Sequence, residues 1–368
     1  LKHPNLFFKK QNMKKKSLNA KKIILKNFNF PKILQDKKIF EIFRRFANNY
    51  NKLKYTKNIA VAVSGGADSM ALCFLISCYE AVKNTKINAK FYLVDHKLRK
   101  DSSIEALKVK KQLKLKNINL KILKLNGKKP NANIQSVARQ KRYEMLFNEC
   151  KIYKINSILT AHHQDDIYET FFSRLLRGSG TEGLSSFLDF EKIFNYKGKE
   201  IIVARPLLEF GKKELVYVSK NVFNCYVEDP SNYMEKFQRV RIRKLISNLK
   251  IEGLDFHKLS LTLNNLASTN RAINELVNFN ISNNVIIKKN RHTVSSNFFI
   301  YPNEVIFRSL SNIFKILSKK NYPPRGRKMI NLIDNLKKRN QFKATLGGII
   351  VNKISNSVVL TREKPKKR

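Results

Sequence analysis

The sequence is poor in acidic residues, and it lacks both a long apolar run and paired cysteines. It has 27 Asp and Glu against 74 Lys and Arg in 368 residues, a formal net charge of +47. Such an excess of positive charge attracts polyanions, so nucleic acid is the leading class of partner. The alternative explanation for part of the charge is codon bias, because an AT-rich genome enriches Lys, Asn, Ile, Phe and Tyr together.

Two classes of protein are disfavoured by what is missing. No run of about 18 consecutive apolar residues occurs, so no membrane-spanning helix is predicted and a soluble protein is expected. The four cysteines form no C-x-x-C pair and no zinc-ligand spacing, which fits a reducing compartment rather than a disulfide framework. Cys73 and Cys78 lie on an apolar helical stretch and are predicted to be core thiols.

From about residue 57 the chain alternates between strand and helix patterns. Apolar strands are predicted at 58–64, 90–95, 117–123 and 157–160, and helices at 67–82, 103–115, 134–150 and 165–177. This alternation predicts an α/β fold with a doubly wound parallel sheet. Ligands of such sheets bind beyond the carboxyl ends of the strands.

After residue 245 the pattern changes. Residues 246–290 are predicted to form a helical connector. Residues 291–368 are predicted to form a small, basic α+β module, with strands in SNFFIYP, GGIIVNK and SVVLTRE and one helix over Lys328–Lys338. The predicted partition is thus a basic N-terminal extension at 1–50, a catalytic domain at 51–245, the connector and the C-terminal module. The extension is open to three interpretations: a nucleic-acid-binding arm, a start-site artefact or a targeting segment.

The stretch SGGADS (64–69) sits between an apolar strand and a helix. Gly65 and Gly66 allow the backbone to approach an anion closely, while the helix N-terminus and the hydroxyls of Ser64 and Ser69 supply donors. Asp68 would repel a phosphate, so Mg²⁺ between them is predicted. The lysine of G-x-x-x-x-G-K-[ST] is missing, which argues against a loop that transfers a γ-phosphate. The alternative is a plain glycine turn with a capping serine.

Further polar stretches follow other strands. DHKLR (95–99) follows the second strand, and ARQKRY (138–143) places Arg139 and Arg142 on one helix face. In TAHHQDDIYET (160–170), Asp165 and Asp166 lie one turn before Glu169, and clustered carboxylates seek Mg²⁺ or an ammonium group. Helix capping and packing are the alternative roles for the two histidines, and a zinc site lacks support elsewhere. The remaining stretches are LLRGSGTEGL (175–184), RPLL (205–208), EDPSN (228–232) and RVRIR (239–243).

These stretches carry a resemblance. SGGADS resembles the pyrophosphate loop of the N-type ATP pyrophosphatases, and all the stretches in this order resemble the tRNA(Ile)-lysidine synthetases. The resemblance covers residues 57–245 and extends weakly to the end, through ATLGG (344–348). Lys97 stands where the family often has glycine, and Val240 stands where asparagine is common.

The resemblance implies an enzyme that ligates L-lysine to the 2-position of the wobble cytidine of tRNA(Ile) with a CAU anticodon. ATP and Mg²⁺ would be required, and an adenylated cytidine would form with release of pyrophosphate before lysine expels AMP. The implied catalytic residues are Asp68, Arg139 and Asp165, of which Asp165 is the best candidate for the general base and Asp68 the Mg²⁺ ligand. The implied nucleotide-binding residues are Ser64, Gly65, Gly66, Ala67, Asp68 and Ser69. The implied substrate-binding residues are Arg142, His162, His163, Asp166, Glu169, Arg205, Arg241 and Arg243.

Several alternatives stay open. A tRNA thiolation enzyme of the same superfamily activates a base in the same way but needs sulfur delivery, usually through cysteines. An ammonia-using synthetase of the NAD or GMP type would not explain the basic module, and a non-catalytic RNA-binding protein would not explain the carboxylates. The bacterial cytoplasm is the expected location, with an organelle as the alternative. No membrane partner is expected, and the oligomeric state is open, with a homodimer as one option.

Overall fold

The computed structural model describes residues 32–53, 57–83, 87–97, 101–125, 134–228, 234–320 and 322–363. The N-terminal stretch 1–31, Leu98 and Arg99 of the DHKLR stretch, and residues 229–232 of the EDPSN stretch therefore lie outside the described part. The chain divides into two compact units. Unit 1 comprises 1–179 and 187–254, and unit 2 comprises 180–186 and 255–368. The four-segment partition stays a prediction.

Unit 1 alternates strands and helices along most of its length. Its elements are α1 (Lys37–Asn51), β1 (Asn58–Val63), α2 (Ala67–Lys83), β2 (Asn88–Asp95), α3 (Ser102–Lys114), β3 (Leu120–Lys124), α4 (Ile134–Ile152), β4 (Ser157–Leu159), α5 (Gln164–Leu175), β5 (Glu191–Tyr196), β6 (Lys199–Ala204), α7 (Lys212–Phe223) and α8 (Gln238–Ile251). The short helix α6 (Thr181–Ser185) interrupts this series and belongs to unit 2.

The six strands of unit 1 form one sheet in the order β3-β2-β1-β4-β6-β5. All neighbouring pairs are parallel except the β5–β6 hairpin at one edge. Successive side chains of each strand point to opposite faces of the sheet, and helices cover both faces. Ile59, Val61 and Val63 join the core beneath α2 and α7, whereas Ala60 joins the core beneath α4. The predicted α/β class with a parallel sheet is confirmed.

Helix α1 lies within the stretch predicted as a basic extension, yet one of its faces is buried in the core of unit 1. Ile39, Phe43 and Phe46 recur at the spacing of a single helix face, and all three are buried. Asp36 caps the helix by accepting hydrogen bonds from the amides of Lys38 and Ile39 at 2.8 and 3.0 Å. Burial of this apolar face makes α1 part of the domain.

Unit 2 combines helices with an antiparallel sheet. Besides α6, its elements are α9 (Phe256–Asn284), β7 (Val285–Lys288), β8 (Arg291–Ser295), α10 (Asn303–Ser318), α11 (Gly326–Lys338), β9 (Gln341–Leu346), β10 (Ile349–Ile354) and β11 (Ser357–Arg362). The sheet order is β7-β8-β11-β10-β9. The two glycines of ATLGG form the β9–β10 turn, with φ of 63° at Gly347 and 87° at Gly348, as a two-residue hairpin requires.

The structure corrects three expectations for unit 2. The strand predicted in SNFFIYP is a 3-10 helix over Ser296–Phe299. The prediction had only one helix in this module, but α10 is a second one, in which the buried Arg308 and Ser309 interrupt the apolar pattern. The predicted helical connector at 246–290 is not one continuous helix: it is broken between α8 and α9, where Gly253 has a φ of 92°. None of the helices in the described residues is long and apolar enough to cross a membrane.

Arg308 anchors the inserted segment 180–186 within unit 2. Its side chain is 3% exposed, and its Nη2 donates to Thr181 Oγ1 at 2.7 Å. Nε donates to Glu304 at 2.8 Å and Nη1 donates to Asn270 at 2.6 Å, so the buried guanidinium is held from three sides.

Candidate active site at the carboxyl ends of the parallel strands

The candidate site lies where the strand order changes direction. The chain leaves β1 for β2 and β3 on one side, and β4 then pairs with β1 on the other side. Such a switch point opens a crevice beyond the carboxyl ends of the two strands. The SGGADS loop follows β1 and the His162-His163 turn follows β4, so both motifs line the same edge.

Gly65 is required by the backbone of the loop. Its φ is 86°, in the left-handed region, and a Cβ on it would lie 2.7 Å from Val109 Cγ2. Its carbonyl accepts a hydrogen bond from the amide of Val227 at 3.0 Å. Gly66 differs, because a Cβ there would meet only Ser64 Oγ, at 3.6 Å, and Val227 O, at 4.0 Å. A Cβ at position 66 would therefore make ordinary van der Waals contacts and no clash.

Ser69 organises the loop from beneath. It is 3% exposed, and its Oγ accepts hydrogen bonds from the amides of Ser64 and Gly65, both at 3.1 Å. The same hydroxyl donates to the carbonyl of Gly66 at 3.0 Å. Ser69 therefore fixes the loop in this structure, while Ser64 Oγ and the amide of Gly66 remain nearer the surface.

Asp68 faces two cations across the crevice. Its Oδ2 lies 3.5 Å from His163 Nε2 and 3.4 Å from Lys212 Nζ. Burial alone would raise the pKa of Asp68, but its contacts with His163 and Lys212 hold that pKa below its usual range. Oδ1 is buried and has no hydrogen-bond partner among the described residues, so this oxygen can accept a ligand.

His163 is a buried cation surrounded by three carboxylates. Besides Asp68, Asp166 Oδ2 lies 3.6 Å from His163 Nε2, and Asp165 Oδ2 lies 3.4 Å from His163 Nδ1. The contact with Asp165 has the distance of an ion pair but not the geometry of a hydrogen bond. Burial alone would lower the pKa of His163, but the three aspartates raise it to about 10. The imidazole is therefore protonated at neutral pH and serves as the cation that the carboxylate cluster needs.

Asp165 and Asp166 also fix the start of two helices. Asp165 Oδ2 accepts a hydrogen bond from the amide of Lys212 at 2.9 Å, at the N-terminus of α7. Asp166 Oδ2 accepts from the amide of His163 at 3.1 Å, at the N-terminus of α5. Burial would raise the pKa of Asp165, but His163 and the Lys212 amide lower it to about 2. Asp165 is consequently a weak base in this arrangement.

Glu169 and Arg243 bind each other. Glu169 is 5% exposed, and its Oε1 accepts a hydrogen bond from Arg243 Nε at 2.5 Å. Burial would lower the pKa of Arg243, but Glu169, Asp166 and Asp68 together raise it. The pair joins α5 to α8 and extends the charged cluster one helical turn beyond Asp166.

A second group, rich in cations, surrounds His162. His162 Nδ1 lies 2.8 Å from Thr160 Oγ1, and burial together with nearby arginines lowers its pKa to about 4, so the ring is neutral. Two of those arginines are Arg139 and Arg205. Arg205 donates to the carbonyl of Phe187 at 2.9 Å. The two neighbouring histidines are thus held in opposite charge states.

The other predicted residues lie apart from the His163 cluster. Arg142 Nε donates to His96 at 3.2 Å, and burial lowers the pKa of His96 to about 4. Arg241 donates to the carbonyls of Glu235 and Lys236 at 2.7 and 3.2 Å, which fixes the chain before α8. Lys97 has a φ of 50°, which explains why glycine suits this position.

Lys212 was not among the predicted site residues. Its amine nevertheless lies 3.4 Å from Asp68 Oδ2, and its amide donates to Asp165 Oδ2 at 2.9 Å. Cys73 and Cys78 are buried, as predicted for core thiols, and Cys150 is buried as well; burial raises the pKa of each of the three. Cys225 is exposed.

Mg²⁺ would depend on Asp68 in this site. No three His, Cys, Asp or Glu side chains are arranged to hold a metal ion in the part of the chain that the structure describes. Mg²⁺ in nucleotide enzymes is commonly held by one or two carboxylates plus phosphate oxygens, which a single aspartate with a free, buried oxygen can satisfy.

Comparison with known proteins identifies the family. A family model described as the PP-loop domain matches residues 38–249. The tRNA(Ile)-lysidine synthase of Wolbachia sp. subsp. Brugia malayi is 32% identical over 323 residues, which cover 85% of this chain and 72% of the relative. That of Rickettsia felis is 30% identical over 341 residues, 89% of this chain and 75% of the relative.

Among solved structures, the U34-tRNA thiolase NcsA of Methanococcus maripaludis superposes with a TM-score of 0.47 at 18% identity, covering 59% of this chain and 74% of that one. The resemblance drawn from the motifs is confirmed by the family model and the two relatives. The chain belongs to the tRNA(Ile)-lysidine synthase family, and its residues 38–249 are the PP-loop domain.

Proposed function

We propose that this chain ligates L-lysine to the 2-position of the wobble cytidine of tRNA(Ile) with a CAU anticodon. The observation that carries the proposal is the pairing of a PP loop with a carboxylate cluster at one switch point, in a member of the lysidine synthase family. Members of this family are ATP-dependent ligases, so ATP is the activating substrate.

The reaction would have two steps. In the first, the 2-carbonyl oxygen of the cytidine attacks the α-phosphorus of ATP, and pyrophosphate leaves. In the second, the amine of lysine attacks carbon 2, the bond from that carbon to the oxygen breaks, and AMP leaves with the oxygen. Because a protonated amine is not a nucleophile, the ammonium group of lysine loses one proton before it attacks, and the nitrogen loses a second proton as the carbon–nitrogen bond forms.

The loop after β1 suits the pyrophosphate portion of ATP. Three groups offer hydrogen-bond donors to an anion: the amide of Gly66, Ser64 Oγ and the N-terminus of α2. Because Gly66 has no side chain, an anion can approach the loop there. Ala67 begins that helix and Ser69 holds the loop rigid. Asp68 would hold Mg²⁺, which when bound supplies positive charge to the phosphate oxygens.

The carboxylates suit the lysine substrate. A lysine ammonium placed beside Asp165 and Asp166 would share them with His163, whose own charge is already balanced by three aspartates. Asp165 has a pKa of about 2, set by burial opposed by His163 and the Lys212 amide, so it suits an ion pair better than proton transfer. Asp166 and Glu169 stay the other candidates for the base.

The arginines near His162 suit the nucleic acid. Arg139 and Arg205 would stabilise negative charge on the α-phosphate or orient the cytidine. We assign the grip on the tRNA body to the basic C-terminal residues of unit 2 and to the N-terminal stretch, through backbone phosphates. Recognition of a single unstacked loop base is typical of sequence-specific RNA enzymes.

The test is incorporation of labelled L-lysine into a tRNA(Ile) transcript with a CAU anticodon, in the presence of ATP and Mg²⁺. We expect incorporation that disappears when the wobble cytidine is replaced by uridine. Replacement of Asp68 by Asn should abolish it, and intact pyrophosphate release by that variant would refute the assigned role of Asp68.

One outcome would favour a different function. If pyrophosphate is released in the presence of the tRNA but no lysine is incorporated, adenylation of the tRNA is supported and lysine is not the nucleophile of the second step. A tRNA thiolation enzyme would then be the leading candidate. The exposed Cys225, two residues from the Val227 amide that contacts the PP loop, would be the first thiol to replace.

A further inference from the structure

Two cations outside the PP loop share one aromatic support. The rings of Tyr143 on α4 and Phe194 on β5 are stacked, with centroids 6.0 Å apart and planes 21° apart. The guanidinium carbon of Arg139 lies 5.2 Å from the Tyr143 centroid, and Lys192 Nζ lies 5.4 Å from the Phe194 centroid. The stack therefore holds a cation against each of its two rings.

Two arginines converge on a neighbouring residue. Arg205 Nη1 donates to the carbonyl of Phe187 at 2.9 Å, and the guanidinium carbon of Arg174 lies 5.1 Å from the ring of the same phenylalanine. Arg205 Nε is buried and has no hydrogen-bond partner within the described ranges. A buried donor in that state favours an incoming acceptor.

The β5 cationic patch is the name used here for Arg139, Arg174, Lys192 and Arg205, because the charges of the three arginines all act on Lys192. Burial lowers the pKa of Lys192, and the charges of Arg205, Arg174 and Arg139 lower it further. Asp189 opposes this effect, but its influence on Lys192 is smaller than that of each of the three arginines. Mutual repulsion of this kind is relieved by a bound anion.

The position of the patch indicates which anion. The charges of Arg139 and Arg205 also lower the pKa of His162, so the patch borders the His162-His163 turn. Lys192, however, is exposed on β5, which lies three strands from β1 at the edge of the sheet, roughly 14 Å at 4.7–4.9 Å per strand. Lys192 is therefore distant from the loop proposed for pyrophosphate. A ligand that reaches both sites has to extend along the protein surface, as an RNA strand does.

We propose that Lys192 and Arg174 of the β5 cationic patch bind a backbone phosphate of the RNA substrate at a nucleotide next to the one that reacts, while Arg139 and Arg205 act on the reacting nucleotide itself. The inference rests on the proposed function for the identity of the RNA. Neither Lys192 nor Arg174 belongs to a sequence motif, so their contact with a phosphate goes beyond the residues that the resemblance implied. Their side chains supply charge and hydrogen bonds to the phosphate, and the aromatic stack holds two cations of the patch in place.

The first experiment measures RNA binding by the full-length protein, with a fluorescein-labelled anticodon stem-loop that carries a CAU loop. Loss of one phosphate contact in Lys192→Ala should reduce the slope of log K against log salt by about 0.7 and weaken binding about threefold to tenfold. Lys192→Arg should restore both values. Lys108→Ala, which removes one exposed lysine on α3 and changes the net charge equally, is the matched control and should bind as the wild type does.

The second experiment separates RNA phosphate from ATP phosphate. In the lysine incorporation assay, Lys192→Ala should raise KM for tRNA by the same factor and leave KM for ATP unchanged. A rise in KM for ATP alone would assign the patch to the nucleotide and overturn the proposal. Equal behaviour of Lys192→Ala and Lys108→Ala in the binding assay would show that no local site exists, and would also overturn it.

The two proposals fail in different ways. Absence of lysine incorporation by the wild-type protein would refute the proposed function, yet the binding assay would still report on the patch. Incorporation with wild-type kinetics by Lys192→Ala, together with an unchanged salt slope, would refute the patch and leave the function intact.

Discussion

Gly65 and Gly66 are adjacent, yet different physical requirements act on them. Gly65→Ala places a Cβ 2.7 Å from Val109 at a φ of 86°, so we expect a loss of unfolding free energy of at least about 1–2 kcal/mol from the left-handed backbone alone. Gly66→Ala meets no close atom, so its stability should stay within about 0.5 kcal/mol of the wild type. Chemical denaturation of both variants measures this difference.

The same pair also tests the PP loop as an anion site. Because the space beside Gly66 is where the phosphate is proposed to lie, Gly66→Ala should raise KM for ATP although its fold is intact. An ATP KM equal to that of the wild type in a stable Gly66→Ala protein would contradict that placement.

His163 should make the stability of the protein depend on alkaline pH. Its pKa is about 10 in the folded state, because three aspartates outweigh burial, and about 6.5 when unfolded. A raised pKa stabilises the fold fully below pH 6.5, and this contribution is lost as pH rises toward 10. Between these limits we expect a loss of up to about 5 kcal/mol, at about 1.4 kcal/mol per pKa unit, that His163→Gln does not show.

Denaturant titrations at pH 6.5 and pH 9.5, on the wild type and His163→Gln, provide the comparison. A difference in stability between the two proteins that does not change with pH would show that the imidazole is not the titrating group.

At the scale of secondary structure, the Glu169–Arg243 pair joins α5 to α8. Arg243→Ala leaves a buried carboxylate without its partner, which typically costs about 3–5 kcal/mol. Arg243→Met combined with Glu169→Leu removes both charges and should recover most of that stability. Thermal unfolding of the two variants tests the structural role, and recovery of stability without recovery of lysine incorporation would show a role in the reaction as well.

Sequence patterns predicted the parallel sheet because β1, β2 and β4 are buried runs of apolar residues bounded by polar loops. They did not predict α10, since Arg308 and Ser309 interrupt its apolar face and, apart from Glu304, their partners lie in other elements. The aromatic stretch SNFFIYP has the composition of a strand but is wound into a 3-10 turn before Pro302.

The candidate site, like the fold, was predicted in part. Because motifs that follow parallel strands lie at the same edge of the sheet, Asp68, His163 and Asp165 were all predicted to belong to one site. Partners that are distant in sequence had no such signal: Lys212 reaches Asp68 across 144 residues and Arg243 reaches Glu169 across 74. The charge states of the two histidines depend on burial, on the aspartates around His163 and on the arginines around His162, so they could not be inferred from the sequence HH alone.

At the scale of the whole molecule, the net charge of +47 should dominate binding of the tRNA. With roughly 6–10 phosphate contacts, affinity falls about 10³–10⁵-fold between about 50 and 200 mM salt. We therefore expect KM for tRNA to rise steeply over this range, whereas KM for lysine, a small ligand, changes far less. Initial rates at several salt concentrations test this, and equal salt dependence of the two KM values would contradict it.

The Arg308–Thr181 contact has a consequence for synthesis of the chain on the ribosome. Thr181 precedes Arg308 by 127 residues, so the segment 180–186 is translated long before the helix that anchors it. At about 5–20 residues per second, the delay is about 6–25 s. During this interval the rest of unit 2 has not been synthesised, so the segment 180–186 cannot reach its native environment until Arg308 has been added to the chain.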